Sequence, residues 1–450
     1  LTPFIIGLYY KEQDFSIESY VSKALNGCYE RRYADILAYL AMCDRYKCKN
    51  LPVSFVRQIL GLPMREDFLR LVPAASSVVT VERQSSGIEY YHFMHPLLSD
   101  CFLDKYCEKY YGGKENLRNA VYELSFHLID HMAETSKTLP ENAPHLDILI
   151  SIMIQNKRGE SDVQPQYLSA LMMDIGMPES QRQLMNHLAT KFQPLADGIL
   201  SSHSRNPDEY FKRNEQQILR LVSHSYAHLG RMYSRDAHNH AEAYESFKKA
   251  IEYMPDDDPN VFHMAGSALL DKLKQKFDDS NAEFDQKALS DIHEDVQCAG
   301  EYFDNTICYG SPEYGYPSKL ELLYRTLQFL FRINNIQSEA DLPKLDHTSR
   351  LLQSEFMDTL EEAKNYYDFD DIAREKISEY ENRFRSQIVF GNYSQAVEYY
   401  QNKVDALRSG PDIVGYGNSL RSLIFAQINQ ARYKNPEVPF YYNLKNARKM

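Results

Sequence analysis

Cysteine is scarce in this 450-residue chain and shows no pairing pattern: seven residues, Cys28, Cys43, Cys48, Cys101, Cys107, Cys298 and Cys308, include no CxxC motif. An odd count without paired spacing argues against a zinc module and against a disulfide framework, and makes a reducing, cytoplasmic compartment the expectation. No apolar run approaches the ~20 residues of a membrane-spanning helix, so no membrane partner is expected. Basic excess is missing too, since 50 Lys and Arg stand against 63 Asp and Glu for a formal charge of -13. Residues 1–110 carry 13 of each sign, which places the acidity in the later chain. Neither part has the positive surplus that phosphate-backbone binding requires, so nucleic acid is not an expected partner. There is no GxxxxGK[ST] loop and no G-x-S-x-G elbow. ATP chemistry therefore cannot be housed in these residues alone, and no catalytic residue and no cofactor of this chain are nominated.

What is present is helical rhythm. The length suits about three domains of roughly 150 residues, and a 43% hydrophobic content can fill their cores. Residues 29–112 form one stretch. YERRYADILAYLAMCDRY sets Ile36, Leu37, Leu40 and Met42 near helical spacing. LPVSFVRQILGL starts a second helix with Pro52 in its first turn and Gly61 as its stop. A third helix is expected over Arg65–Leu71. SVVTVERQSSGIEYYHF then alternates apolar and polar residues on both sides of Ser85, Ser86 and Gly87, the pattern of a two-stranded hairpin. Three helices and a hairpin is the order of a winged helix, and PLLSDCFLDKYCEKYY follows as the next helix, with His95 and Pro96 at its start.

Residues 113–207 read as a helical connector, with surface loops at SKTLPENAP and NKRGESDVQPQ. From 208 to 450 the expectation is an α-solenoid. HSYAHLGRMYSRDAHNHAEAYESFKKAIEYMP puts Tyr226, Leu229, Gly230 and Tyr233 on one helix and Ala243, Phe247, Ala250 and Pro255 on and after a second. These positions match a tetratricopeptide repeat with one extra residue in the inter-helix turn. The small residues admit close helix approach while Tyr and Phe fill the groove. One hairpin cannot bury its own face, so neighbouring repeats are required. DPNVFHMAGSALLDKL continues in register with Ala265 at the position of Gly230, and FGNYSQAVEYYQNKVDAL, after the helix ISEYENRFRSQI, is a degenerate repeat. LSDIHEDVQCAGEYFDNTICY and SKLELLYRTLQFLFRI are helices joined by the turn-rich GSPEYGYP. The expected fold class is thus mainly α: a winged-helix domain with a small hairpin, a helical connector and a solenoid.

This order of parts resembles the carboxy-terminal half of a STAND NTPase, the signal-transducing P-loop ATPases in which a winged helix follows the nucleotide-binding domain and repeats follow that. RRYADILAYLAMCDRYKCKNLPVSFVRQIL resembles the family's first winged-helix helices, and HFMHPLLSDCFLD the segment after the wing. The resemblance implies that Met94-His95 is the family's Met-His pair and that His95 approaches the phosphates of a bound nucleoside diphosphate, although Pro96 replaces the acidic residue common next. LTPFIIGLYY is similar to the segment ending the ATPase core, whose proline packs near the base; that role would fall to Pro3, with Thr2 where glycine is common. Residues 1–28 would then be the end of the nucleotide-binding module, a lid helix included. Because LTPFIIGLYY reads as mid-domain, a P-loop is expected upstream, with ATP or ADP in the parent protein. By resemblance, a protein or peptide ligand on the solenoid releases nucleotide-dependent self-oligomerisation, in a setting of innate immunity or antiphage defence. The alternative is a repeat scaffold or transcription regulator without nucleotide switching.

Other constellations have plainer readings. His92 alternates with Tyr90 onto one wing face and is expected to be structural. His127 with His131, and His224 with His228, have the i, i+4 spacing of zinc pairs but no third ligand, so no metal is expected. In REDFLRLV, Glu66 and Asp67 would face a phosphate surface badly. The acidic, Tyr-rich array is a solvated surface with aromatic inter-repeat cores, and its groove is suited to a partner.

Overall fold

The structure is a computed structural model that describes residues 16–46, 50–137, 143–154, 168–206, 210–235, 238–279, 284–336, 339–345, 347–366, 368–387, 393–408, 410 and 413–434. Pro3 and the run LTPFIIGLYY lie outside the described residues. The chain is mainly helical and forms two compact units, Leu1–Asp256 and Asp257–Met450.

In the first unit, α1 (Ile17–Asn26) packs against α5 (Pro96–Tyr111). Next come α2 (Arg31–Arg45), β1 (Leu51–Pro52), α3 (Val53–Leu60), α4 (Phe68–Leu71), β2 (Val79–Arg83) and β3 (Glu89–Phe93). Ile36, Leu37, Leu40 and Met42 are all buried along α2, as the apolar spacing predicts. Gly61 ends α3 at φ 63°, where a side chain would be strained. Two details differ from the sequence reading. The sheet has three strands in the order β1-β3-β2, because Leu51 and Pro52 pair with Tyr91 and Tyr90 before α3 begins. A proline can occupy so short a strand, as it lacks only one ladder donor. The third helix is also shorter than Arg65–Leu71: Asp67 caps it, its carboxylate accepting from the Leu69 amide at 3.2 Å and from the Tyr91 hydroxyl, and this fixes the start at Phe68.

The connector comprises α6 (Leu117–Ser136), α7 (Pro144–Leu149), α8 (Ala170–Ile175) and α9 (Pro178–Arg205). His145 ties it to the strand-bearing module. The ring is buried, stacks on Phe55 at 5.6 Å, and holds the Ser136 hydroxyl through Nε2 at 2.9 Å. The antiparallel pair α10 (Arg213–Arg235) and α11 (His240–Glu252) lies against α9. Tyr226 donates to Gln193 at 2.6 Å and Tyr253 to Asp197 at 2.5 Å.

The second unit runs α12 (Pro259–Asp278), α13 (Gln286–Cys308), α14 (Pro312–Ile333), α15 (His347–Asn365), α16 (Asp371–Gln387), α17 (Tyr393–Leu407) and α18 (Ile413–Lys434). Leu270, Leu273, Phe303, Leu327, Phe356 and Phe384 belong to one continuous core, whereas α17 and α18 share a small separate one around Tyr400 and Leu423. The stretch GSPEYGYP is no extended turn: α14 starts at Pro312 and runs through Pro317. A proline at the first helical position loses no bond, because that amide has no partner in a helix anyway. Inside the unit, the 8% exposed Lys319 holds Asp304 at 2.8 Å and Glu355 at 3.1 Å, so α14 is tied to α13 and α15 by charge as well as by apolar packing.

Candidate functional site

His95 stands at the junction of β3 and α5. Its backbone is extended, at φ -159° and ψ 143°, and its Nδ1 accepts the Leu97 amide proton at 3.1 Å. The imidazole is thus the cap of α5, replacing the Ser, Asp or Asn usual there, and Pro96 fills the first helical position. An accepting Nδ1 carries no proton, so the neutral ring has its proton on Nε2, which leaves one donor free to meet an acceptor. On the near side, Asp44 of α2 is within electrostatic reach of His92, His95 and Asp100. Burial pushes its carboxyl pKa up, and its Oδ2 is buried with no hydrogen-bond partner. Asp100 in turn pairs with Arg45 at 3.3 Å. An anion at His95 gains from the helix N-terminus and from Nε2–H but is opposed by the Asp44 carboxyl. His92 lies opposite Thr80 on the sheet, with Nε2 3.7 Å from Glu82 and Nδ1 3.0 Å from the Phe93 carbonyl, contacts internal to the hairpin and its edge.

The residues singled out between Tyr226 and Pro255 come together in α10, α11 and the turn after them. Leu229, Ala243, Phe247 and Ala250 are buried. A Cβ on Gly230 would sit 2.8 Å from the Phe247 ring, nearer than real contacts allow. Tyr226 stacks on Tyr253 at 6.1 Å beneath the Lys249 ammonium, 4.9 Å from the Tyr226 ring. Its hydroxyl and ring are both committed to packing, so Tyr226 is no free ligand contact. The Tyr233 carbonyl accepts from the Asn239 amide at 2.9 Å. Asn239 caps α11, and His238 just before it adopts a left-handed φ of 49°. Pro255 follows the end of α11.

In the next hairpin the register moves by one. A Cβ on Gly266, not on Ala265, would strike an aromatic ring, that of Phe303 on α13 at 2.7 Å. Ala265 is buried beside it. Two successive hairpins thus use a glycine on the first helix against a phenylalanine on the second. The signal was in the sequence, eight residues after Asp258, whose side chain caps α12.

The histidine pairs hold no metal geometry. Asp130, between His127 and His131, is engaged by His187 at 2.9 Å and Lys191 at 2.7 Å. His131 meets Tyr39 edge-on, and its pKa is lowered by burial. His228 is buried, with an Nδ1 that lacks a hydrogen-bond partner; burial, then His224 and Arg231, press its pKa down to about 3. Among the described residues no group of three His, Cys, Asp or Glu could hold a metal ion, and no helix is long and apolar enough to cross a membrane. No family model, no curated protein and no solved structure matches this chain.

Proposed function

We propose that this chain is the regulatory and ligand-sensing portion of a STAND-type NTPase, in which a protein or peptide ligand on the helical array releases a nucleotide latch that includes His95. The observation that carries the reading is the order of parts around that histidine. A helix, a short strand and two helices lead into a hairpin, the sheet order is β1-β3-β2, and β3 runs directly into the helix that His95 caps. That is the strand order of a winged helix, and the glycine-against-phenylalanine hairpins downstream support a repeat array. His95 acts in this scheme by donating Nε2–H to a diphosphate oxygen while Nδ1 caps α5, so one ring couples nucleotide to the helix start. The ligand shifts the balance only by binding open and closed forms with different affinity. An antiphage or other innate-immune role, and self-oligomerisation of the longer protein, belong to the same proposal.

The cap also supplies the decisive experiment. Asparagine is a strong N-cap, so His95→Asn keeps the helix start and removes the imidazole. ADP retained on purification of the longer protein, and lost on His95→Asn with an unchanged circular dichroism spectrum, is the expected result. ADP content unaffected by His95→Asn would overturn the latch.

One observation favours a second reading, a repeat scaffold or transcription regulator without nucleotide. The ring already has a structural task, and the Asp44 carboxyl opposes an anion beside it. Protein purified without nucleotide, which also takes up none of added ADP, would select this reading.

A further inference from the structure

Within the second unit, α17 and α18 are attached differently from the helices before them. Ala373, Ile377 and Phe384 turn one side of α16 into the apolar core that it shares with α12–α15. Glu375, Glu379 and Arg383, spaced i, i+4, i+8, form a charged stripe along another side. Both α17 and α18 pack on α16. Their own core, Ala396, Tyr400, Val404, Leu423 and Ala426, is separate from the larger one. What joins α17 to the stripe is polar: Lys403 reaches Glu375 at 2.8 Å and Glu379 at 3.8 Å, and Glu379 in turn pairs with Arg383. The Glu375 end of this ladder is 59% exposed, so salt screens it. Tyr400, on the same face of α17, is 2% exposed and within electrostatic reach of Arg383 and of Tyr324 on α14. Its hydroxyl is buried with no hydrogen-bond partner. A hydroxyl that has given up water and gained no bond opposes the contact that buries it.

We propose that α17 and α18 form a strap that closes over the Glu375, Glu379 and Arg383 stripe of α16 and releases as one unit while α12–α16 stay folded. The ion pairs hold the strap shut, and the unpaired Tyr400 hydroxyl keeps the closure weak. Once released, the two helices have too small a core to stand alone, so their backbone amides lose protection together. Whatever binds the uncovered stripe must displace Lys403 and Tyr400, and gains affinity from any change that favours the open form. The strap is a device of the second unit and does not depend on the nucleotide reading of His95.

Native-state hydrogen exchange of the intact chain, read by peptide along a low-urea series, tests this. The amides of α17 and α18 are expected to open with one shared midpoint, below that of α14 and α15. Raising salt from about 50 to about 500 mM should speed their exchange by about threefold and leave α14 unchanged. Lys403→Met keeps the aliphatic stem but not the charge, and should speed exchange by about fivefold in α18 as well as in α17. Tyr400→Phe removes the unpaired hydroxyl and should slow both by about threefold. Lys364→Met, which breaks the ion pair to Glu381 between α15 and α16, is the control and should leave α17 and α18 as in the parent. Circular dichroism shows that the variants are folded. Distinct midpoints for α17 and α18, a midpoint shared with α14, indifference to salt, equal acceleration in the Lys364 control, or no slowing in Tyr400→Phe would each overturn the proposal.

Discussion

Three histidines show how the same side chain is set to different uses by its surroundings. His95 is half-buried and accepts a helix amide; His145 and His228 are buried, and burial holds their pKa values near 4 and 3. Both are therefore neutral in the fold, while in the unfolded chain each titrates near 6.5. Between those values the unfolded state binds protons that the folded state refuses, so stability is complete above about pH 6.5 and falls as pH drops toward 4 and then 3. Each histidine is expected to cost on the order of 2 kcal/mol by pH 5. Denaturant melts at pH 7 and pH 5 check this. The parent should lose more stability on acidification than His145→Gln or His228→Gln, and equal losses would show that other groups dominate. At His95 the comparison is between cap chemistries: His95→Ala should lose about 1 kcal/mol of stability that His95→Asn retains.

At the scale of elements, the close approach of paired helices turns on two glycines. Replacing Gly230 or Gly266 with alanine improves intrinsic helix propensity by about 1 kcal/mol. The new Cβ would meet the Phe247 or Phe303 ring below 3 Å, and both rings are buried and hemmed in. Overpacking of this kind costs roughly 1–3 kcal/mol, so the clash outweighs propensity and both variants should melt lower than the parent. Gly198 has open space where a Cβ would stand. Gly198→Ala on α9 is the matched control and should melt at or above the parent. The α10–α11 hairpin was legible because Gly230 and Phe247 stand in one repeat-like pattern, whereas the next glycine contact fell one residue past the Ala265 expected; α2, the β2–β3 hairpin and α5 were legible from apolar period and turn residues. Three features were not. β1 is two residues long and exists only through its pairing with β3, in which the partner of Leu51 is Tyr91, 40 residues on. α14 carries prolines and a glycine that locally signal a turn, and only burial of Leu320, Leu323 and Leu327 in the unit's core makes the stretch a helix. The Asp44 carboxyl joins His95 across 51 positions of sequence, so no local pattern announces it.

At the scale of the molecule, the division at Asp256 and Asp257 separates the two glycine hairpins: Gly230 and Phe247 belong to the first unit, Gly266 and Phe303 to the second. Each unit has its own buried residues and could lose its structure without the other. Chains of this length commonly unfold through partly folded states, domain by domain. The two alanine variants therefore act as reporters of separate transitions. Hydrogen exchange read by peptide along a urea series is expected to show Gly230→Ala lowering the midpoint for α10 and α11 while α12–α16 keep theirs, and Gly266→Ala doing the reverse. A common midpoint that moves by the same amount in both variants would mean that the units unfold as one. In that case a ligand on the second unit could change the first only by stabilising the whole chain, and a signal passing between them would require a conformational change that local unfolding does not supply.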